Sequence, residues 1–322
     1  MADLPTLSDI RVGAIQEGLL QWFRATQRDL PWRRTRDPYA ILVSEVMLQQ
    51  TQVDRVIPYY QRFLERFPTA AALAAAPVAE VIKLWAGLGY NRRAVNLQRA
   101  AQAVTDSLGG EFPAEPLELR KLPGLGAYTA GAVAAFAFER DVVFLDTNMR
   151  RVITRLIFGA AEEQPERQVL AAAERLLPPG HGWEWNQALI EFGALQCTAR
   201  KPACVICPLS ASCAAFPVIQ SVLAEQRTRK PAQPAERFET SARFYRGRIV
   251  EALRELPDEA HAGLTLGELG PRLRENFGAE DLPWLASLVQ GLQRDGLAAV
   301  AEESPPWDAE GGLAMESRIR LP

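Results

Sequence analysis

The sequence predicts an all-α fold, and three observations predict it. Helical apolar spacing recurs from Ile15 to about Phe216, alanine-rich stretches that favour helix stand at 69–76, 94–104 and 130–137, and no series of alternating strands interrupts that section. The first helix is expected around Ile15–Phe23, ending before the turn segment Arg28-Asp29-Leu30-Pro31. Pro38 opens the next, with Asp37 placed to cap it, and the helical run extends from Tyr39 to Phe67. Residues 225–240 are charged and proline-bearing, which reads as a linker. Beyond it, helical segments near 244–256, 265–276 and 282–295 precede two strands, 297–301 and 312–315. Three helices and a hairpin predict a small winged-helix-like module at 241–322. No internal repeat is present.

Composition excludes several function classes. A hydrophobic fraction of 48% and a charged fraction of 23% belong to a globular protein, and no apolar stretch is long enough to cross a bilayer. The segment MADLPTLSDI carries acids and no apolar run, so a secretory signal is not expected; the expected location is the cytoplasm, without a membrane partner. The net charge of -3 hides an asymmetry. Residues 235–322 carry 16 acids and 10 bases, which leaves 23 acids and 26 bases in the remainder. A nucleic-acid contact must therefore rest on local clusters and backbone amides rather than on a global field. The two histidines, His181 and His261, sit in no ligand spacing, so carboxylates must carry any acid–base chemistry.

All four cysteines fall in one short window, Cys197, Cys204, Cys207 and Cys213, spaced C-x6-C-x2-C-x5-C. Such a group in a cytosolic chain is a metal site rather than a disulfide framework. The spacing admits either a tetrahedral Zn²⁺ or a four-iron cluster. Upstream, Leu122-Pro123-Gly124-Leu125-Gly126 precedes the helical run from Tyr128. Two glycines allow a tight turn whose amides, at a helix N-terminus, can receive a phosphate. Glu45 stands inside an apolar run, where burial would raise its pKa as a general acid requires. Asp146, in Leu145-Asp146-Thr147-Asn148, is placed to cap a following helix.

The hairpin, the acid after its helix and the C-terminal cysteine loop together resemble the helix-hairpin-helix DNA glycosylase superfamily, and the cysteine spacing resembles its endonuclease III branch. Within that branch, Ser44-Glu45-Val46-Met47-Leu48-Gln49-Gln50-Thr51-Gln52-Val53, Leu30-Pro31-Trp32-Arg33 and Gly87-Leu88-Gly89-Tyr90 are similar to signatures of the MutY adenine DNA glycosylases. The resemblance spans about residues 15–216. It implies a six-helix barrel with the hairpin at about 36–140, an iron-sulfur domain from about 1–35 and 141–224, and a [4Fe-4S] cluster on the four cysteines.

It also implies a mono-functional base-excision enzyme. The substrate would be double-stranded DNA with adenine mispaired with 8-oxoguanine or guanine, and the expected state is a nucleoid-associated monomer. Carried over by position, Glu45 protonates the departing adenine and Asp146 stabilises the sugar cation, with Tyr128 and Asn148 in support. Arg33 and Glu191 line the adenine pocket. Gln50, Leu88 and Tyr90 wedge into the duplex, and Gly124 and Gly126 form the hairpin contact. Arg92-Arg93 and Arg200-Lys201 are candidate phosphate contacts.

The chain departs from the family pattern at three places. Thr147 stands where the family usually has glycine, and Asn91 where a tyrosine is common. The short acidic C-terminal region does not match the Nudix-like domain of many members. Competing readings are an endonuclease III-like glycosylase/lyase, which needs a lysine where this chain has Tyr128, a thymine–guanine mismatch glycosylase, and a non-catalytic DNA-binding protein.

Overall fold

A computed structural model describes residues 7–160, 164–228, 237–256, 263–301 and 313–322. In chain order the helices are α1 (Asp9–Thr26), α2 (Pro38–Leu48), α3 (Val53–Arg66), α4 (Ala70–Ala75), α5 (Val78–Leu84), α6 (Arg92–Ser107), α7 (Pro116–Leu119), α8 (Ala127–Ala137), α9 (Thr147–Ile153), α10 (Glu166–Leu176), α11 (Gly182–Leu195) and α12 (Ile219–Thr228). Then follow α13 (Ala242–Arg254), β1 (Leu264–Thr265), α14 (Leu266–Leu273), α15 (Leu282–Arg294), β2 (Ala299–Val300) and β3 (Arg318–Arg320). Among the described residues, no helix is long and apolar enough to cross a membrane. The all-α class holds.

Two compact units divide the chain. The first comprises residues 1–45, 112–121 and 125–232, and the second 46–111, 122–124 and 233–322. In the first, the apolar faces of α1, α9, α10 and α11 close on one another, burying Ile15, Leu19, Phe23, Val152, Val169 and Trp185. α8 is nearly all small residues, Ala127-Tyr128-Thr129-Ala130-Gly131, and is buried on almost every side. A Cβ on Gly131 would lie 2.7 Å from that of Phe144, so only glycine lets this chain segment pass so close. The Asp37 carboxylate accepts from the Tyr39 amide at 3.0 Å, the expected cap of α2.

The expected continuous run from Tyr39 to Phe67 is broken. α2 stops at Leu48 and α3 starts at Val53, with Gln50 in the left-handed region at φ 59°. No glycine or proline marks this break. Arg93 holds it instead: its Nη1 donates to the carbonyls of Val46 (2.8 Å), Met47 (3.0 Å) and Gln49 (2.5 Å), and its Nη2 to those of Leu88 and Gly89, both at 3.1 Å. Carbonyls left open at a helix end are thereby satisfied by one guanidinium. Burial lowers Arg93 to about 10.

In the second unit, α13, β1, α14, α15, β2 and β3 follow in that order, and the antiparallel sheet runs β1-β3-β2. Leu264 pairs with Ile319 and Val300 with the same Ile319 from the other side. The three helices stand near their expected positions, with two differences: the sheet has a third strand, β1, ahead of α14, and the last strand is displaced. The last strand is Arg318–Arg320, not 312–315, because a turn stabilised by the Ser317 amide donating to the Ala314 carbonyl intervenes. Thr265 and Glu268 close a capping box on α14. Helix α12 carries structure to Thr228, inside the expected linker, and the 229–236 part of that linker lies outside the described residues, as does His261.

The module shares its core with the earlier part of the unit. Ile82 and Val95 join Ile249, Leu253, Leu269, Leu285, Val289 and Ile319 in one buried cluster. Leu285, fully buried there, should cost about 2–5 kcal/mol when cut to alanine. Urea unfolding of Leu285→Ala followed by far-UV circular dichroism measures that cost. A loss under 1 kcal/mol would show that the cluster is not a cooperative core.

Candidate active site and cysteine loop

In the first unit, α2 carries Glu45 inward, 5% exposed between Ser44 and Val46. The Tyr128 hydroxyl, from the first turn of α8, is hydrogen-bonded to its carboxyl. Burial pushes Glu45 up to about 7, and the repulsion of Asp146 adds to the rise. The Tyr128 hydrogen bond and the Arg33 charge pull the other way without cancelling it. Burial likewise pushes Tyr128 well above the usual tyrosine range. Glu45 is therefore a carboxyl that can hold a proton near neutrality.

Asp146 is the N-cap of α9. Its Oδ1 accepts from the Met149 amide at 2.6 Å and its Oδ2 from Asn148 Nδ2 at 3.0 Å. Asn148 Oδ1 in turn accepts from Arg151 Nη2 at 2.8 Å, and the same guanidinium donates to the carbonyls of Gly193 (2.7 Å) and Cys197 (2.9 Å). Gly193 permits the approach: a Cβ there would lie 2.7 Å from the Cβ of Asn148. A chain of hydrogen bonds thus runs from the Asp146 carboxylate to the backbone of the first cysteine. Arg151 and Gly193 were not singled out in the sequence, because a contact between α9 and α11 leaves no local signal.

Arg33 and Glu191 do meet, but not as two open walls of a pocket. Glu191 is fully buried and accepts from Arg28 Nη2 (2.7 Å), Arg28 Nε (2.8 Å), the Arg28 amide (3.0 Å) and Arg33 Nη2 (3.0 Å). Burial alone would raise it; these hydrogen bonds outweigh burial and hold it at about 2. Arg33 also donates to Gln187 Oε1 at 2.9 Å. Glu191 is a fixed anion that orients Arg33, and Arg28, read in the sequence only as part of a turn, is its second anchor.

The second unit carries the expected wedge residues. Gln50 and Tyr90 are both exposed and both in the left-handed region, at φ 59° and 46°. Leu88, expected beside them, is buried at 6%. Arg93 is not available as a phosphate contact, since it is spent on the carbonyls described above, and Arg92 faces Asp295 at 3.3 Å. Arg200 and Lys201 are exposed. Gly124 turns at φ 79°, where a Cβ would crowd Asn96 at 2.6 Å. Gly126 is the N-cap of α8 and leaves open space where a Cβ would stand.

Cys197, Cys204, Cys207 and Cys213 are all free thiols lining one apolar cavity with Leu156, Phe192 and Ile219. A π-helical turn at Thr154–Phe158 presents the carbonyls that hold this loop: Arg155 O accepts from the Ala215 amide and Leu156 O from the Ala214 amide, each at 2.9 Å. Arg155 Nη1 lies 3.6 Å from Cys197 Sγ. Among the described residues no three or more His, Cys, Asp or Glu side chains are drawn together as for a single metal ion. Four thiols around one cavity, with a guanidinium beside them, fit a multi-iron group whose net charge is negative. Burial pushes Cys207 up to about 11 and raises Cys204 and Cys213 as well, so the bound metal must displace these protons.

Comparison with known proteins agrees with this geometry. Residues 43–179 match the HhH-GPD superfamily base excision DNA repair proteins, and residues 197–213 match the iron-sulfur binding domain of endonuclease III. The four cysteines are the [4Fe-4S] ligands of that domain. The chain is 43% identical over 243 residues to the adenine DNA glycosylase of Mycolicibacterium smegmatis, covering 74% of this chain and 79% of that one. With that of Mycobacterium tuberculosis it shares 38% over 315 residues, 94% and 92% of the two chains. The human protein of the same name is 42% identical over 217 residues, 63% of this chain and 40% of its own length.

Among solved structures, a thermostable thymine-DNA glycosylase matches with a TM-score of 0.61 at 32% identity, over 65% of this chain and 97% of that one. A trapped endonuclease III–DNA covalent intermediate matches at 0.56 and 27%, over 70% and 100%. The likeness to the two mycobacterial proteins thus runs along 74% and 94% of this chain. The chain belongs to the adenine DNA glycosylase family of the HhH-GPD superfamily of base excision repair proteins.

Proposed function

We propose that this chain binds double-stranded DNA, flips out an adenine mispaired with 8-oxoguanine or guanine, and hydrolyses its N-glycosidic bond without cutting the strand. The observation that carries this reading is the Glu45–Asp146 pair, in which burial keeps a proton on one carboxyl beside a second carboxylate. Breaking the C–N bond leaves positive charge on the sugar and negative charge on the base, and such a pair meets both needs. The Glu45 carboxyl donates its proton to the departing adenine. Asp146, held by the Met149 amide and Asn148, offsets the sugar cation while water adds.

Tyr128 holds the Glu45 carboxyl in place and, having no amine, forms no Schiff base with the sugar at the position where the lyases carry their lysine. Arg33 is held by Glu191 and Gln187, and in this reading its guanidinium serves the adenine from that fixed position. Gln50 and Tyr90 fill the space that the flipped base leaves, a step that offsets lost stacking. The α8 amides behind Gly126 receive a phosphate. The iron-sulfur cluster on Cys197, Cys204, Cys207 and Cys213 cross-links its loop and supplies no step of the hydrolysis. The protein acts as a monomer, at the nucleoid where such mismatches arise.

Thymine removal is the second reading, favoured by the thymine-DNA glycosylase likeness. Parallel assays on duplexes with A·8-oxoguanine, A·G and T·G, scored by alkaline cleavage of the abasic product, separate the two. Only the adenine strands should be cut, and borohydride should trap little covalent complex. Efficient trapping, or release of thymine alone, overturns the proposal.

The mechanism makes sharper demands on variants. Glu45→Gln keeps size and hydrogen bonding but has no acidic proton, so single-turnover excision should fall at least about 10²–10⁴-fold. Asp146→Asn should be severely slowed while both variants still bind mismatched duplex by anisotropy. Because the protonated form of Glu45 is the active one, the wild-type rate should be full on the acid side and fall as pH rises through about 7. A flat single-turnover profile from pH 6 to 8.5 would contradict that role. For the cluster, purified protein should be yellow-brown with iron and sulfide in equal amounts. Cys204→Ser should lose most of both, and an unchanged iron content in that variant would remove Cys204 from the ligand set.

A further inference from the structure

The residue after Tyr90 has an unexpected partner within the second unit. Asn91 stands at the N-cap of α6, where an asparagine side chain ordinarily accepts from an amide of the first turn, yet it makes no such bond. Its Oδ1 accepts instead from Nη2 of Arg254, the last residue of α13, at 2.8 Å. The Arg254 side chain is only 8% exposed, and its other nitrogens donate to the Ile82 carbonyl of α5 (3.1 Å) and to Glu251 Oε2 (3.0 Å). One residue further on, Arg92 meets Asp295 at 3.3 Å, and Asp295, which follows α15, is paired in turn with Arg246 of α13.

We propose that the C-terminal module braces the loop that carries Tyr90, and that Arg254 is its positioning residue, fixing Asn91 so that Tyr90 is already set when base extrusion begins. Side-chain bonds to the loop ahead of Tyr90 come from Arg93 and from Trp85, whose Nε1 donates to the Gly89 carbonyl at 3.2 Å. Those to the two residues after it come from the module. Arg243 of α13 adds an exposed tie to the Tyr90 hydroxyl at 3.2 Å, which a stacking base can displace; the Arg254 bond does not involve the ring. A brace must also be stiff. The module shares one buried core with Ile82 of α5 and Val95 of α6, and the Ala79 amide donates to the Pro322 carbonyl at 3.1 Å. If Arg254 served only to fasten α13 to α5, its bond to Ile82 would suffice; the third arm of the guanidinium reaches the loop. Asn91 and the C-terminal region are two of the places where the sequence departs from the family pattern, and they meet at this bond.

The role in extrusion rests on the reading of Tyr90 as a wedge, and the test therefore has one arm without DNA and one with it. Hydrogen exchange of the full chain, read on the peptide spanning residues 87–94, should quicken about tenfold in Arg254→Ala and in Asn91→Ala, as loss of one hydrogen bond to a charged group allows. Combining the two should add little, since both remove the same bond. Asn91→Asp, which keeps an oxygen acceptor for Arg254, should restore wild-type exchange. Should the buried Arg254→Ala melt early, Asn91→Ala carries the test from the loop side. The second arm compares single-turnover excision from an A·G duplex with that from a duplex whose adenine faces a tetrahydrofuran abasic analogue. An unpaired base costs less to extrude, so the variants should be slowed about tenfold on A·G and no more than about twofold on the unpaired adenine. A variant with a merely loosened fold would be slowed equally on both. Unchanged exchange in the folded variants, or equal slowing on the two duplexes, overturns the proposal. If wild type excises adenine from neither duplex, the adenine reading fails, and the exchange arm still decides whether the module braces the loop.

Discussion

A carboxyl taken out of water holds on to its proton, and the arrangement of the first unit follows from that constraint. Glu45 is that carboxyl: burial raises it, and the nearby Asp146 adds to the rise. A positive Arg33 beside it would tend to strip that proton. Glu191 reduces this pull, since a fully buried carboxylate held at about 2 spends its charge on Arg33 and Arg28. The same ion pair fixes where the guanidinium points. A buried triad of this kind is costly to assemble, and it is kept where position matters more than stability.

The second carboxylate is governed by packing. Asp146 caps α9, and Asn148 and Arg151 carry its hydrogen bonding to the Cys197 carbonyl. The cluster loop and the Asp146 carboxylate are therefore linked through two side chains, Asn148 and Arg151. Gly193 sets the separation of α11 from α9 at this point, because no side chain fits against Asn148.

Much of this was legible in the sequence. The cysteine loop could be read as a metal site, because metal ligation fixes residue type and spacing within a short window, whereas the spacing alone did not choose between zinc and an iron cluster. Glu45 was legible because an acid amid apolar residues tends to be buried, and the three C-terminal helices because each is a short helical segment bounded by turn residues. What escaped was held together over distance. The break after Leu48 carries no turn residue of its own; it exists because Arg93, far along the chain, collects its carbonyls. The last strand lies at 318–320 because of a local Ser317 turn that the apolar run Leu313-Ala314-Met315 conceals. Leu88 looked like a wedge beside Tyr90, but Gly87 and Gly89 turn the chain so that it points into the core. Glu191 could be placed near Arg33 by resemblance, yet nothing local reveals that Arg28 also claims it.

The guanidinium of Arg93 joins two loops that are far apart in sequence, those of Gln50 and Tyr90, by bonding the backbone of both. Left-handed backbone at a residue with a side chain costs of order 1–3 kcal/mol and persists only where its surroundings over-determine it. Here one cation supplies that determination for both loops. The ordering entropy of the two protruding side chains' backbones is thus settled when the protein folds, not when it meets a ligand. A tool made rigid in advance leaves the compliance to its partner. On the proposed reading of Gln50 and Tyr90 as wedges, a duplex pressed against them would kink where its own stacking is weakest, and part of the discrimination between damaged and sound DNA would be mechanical.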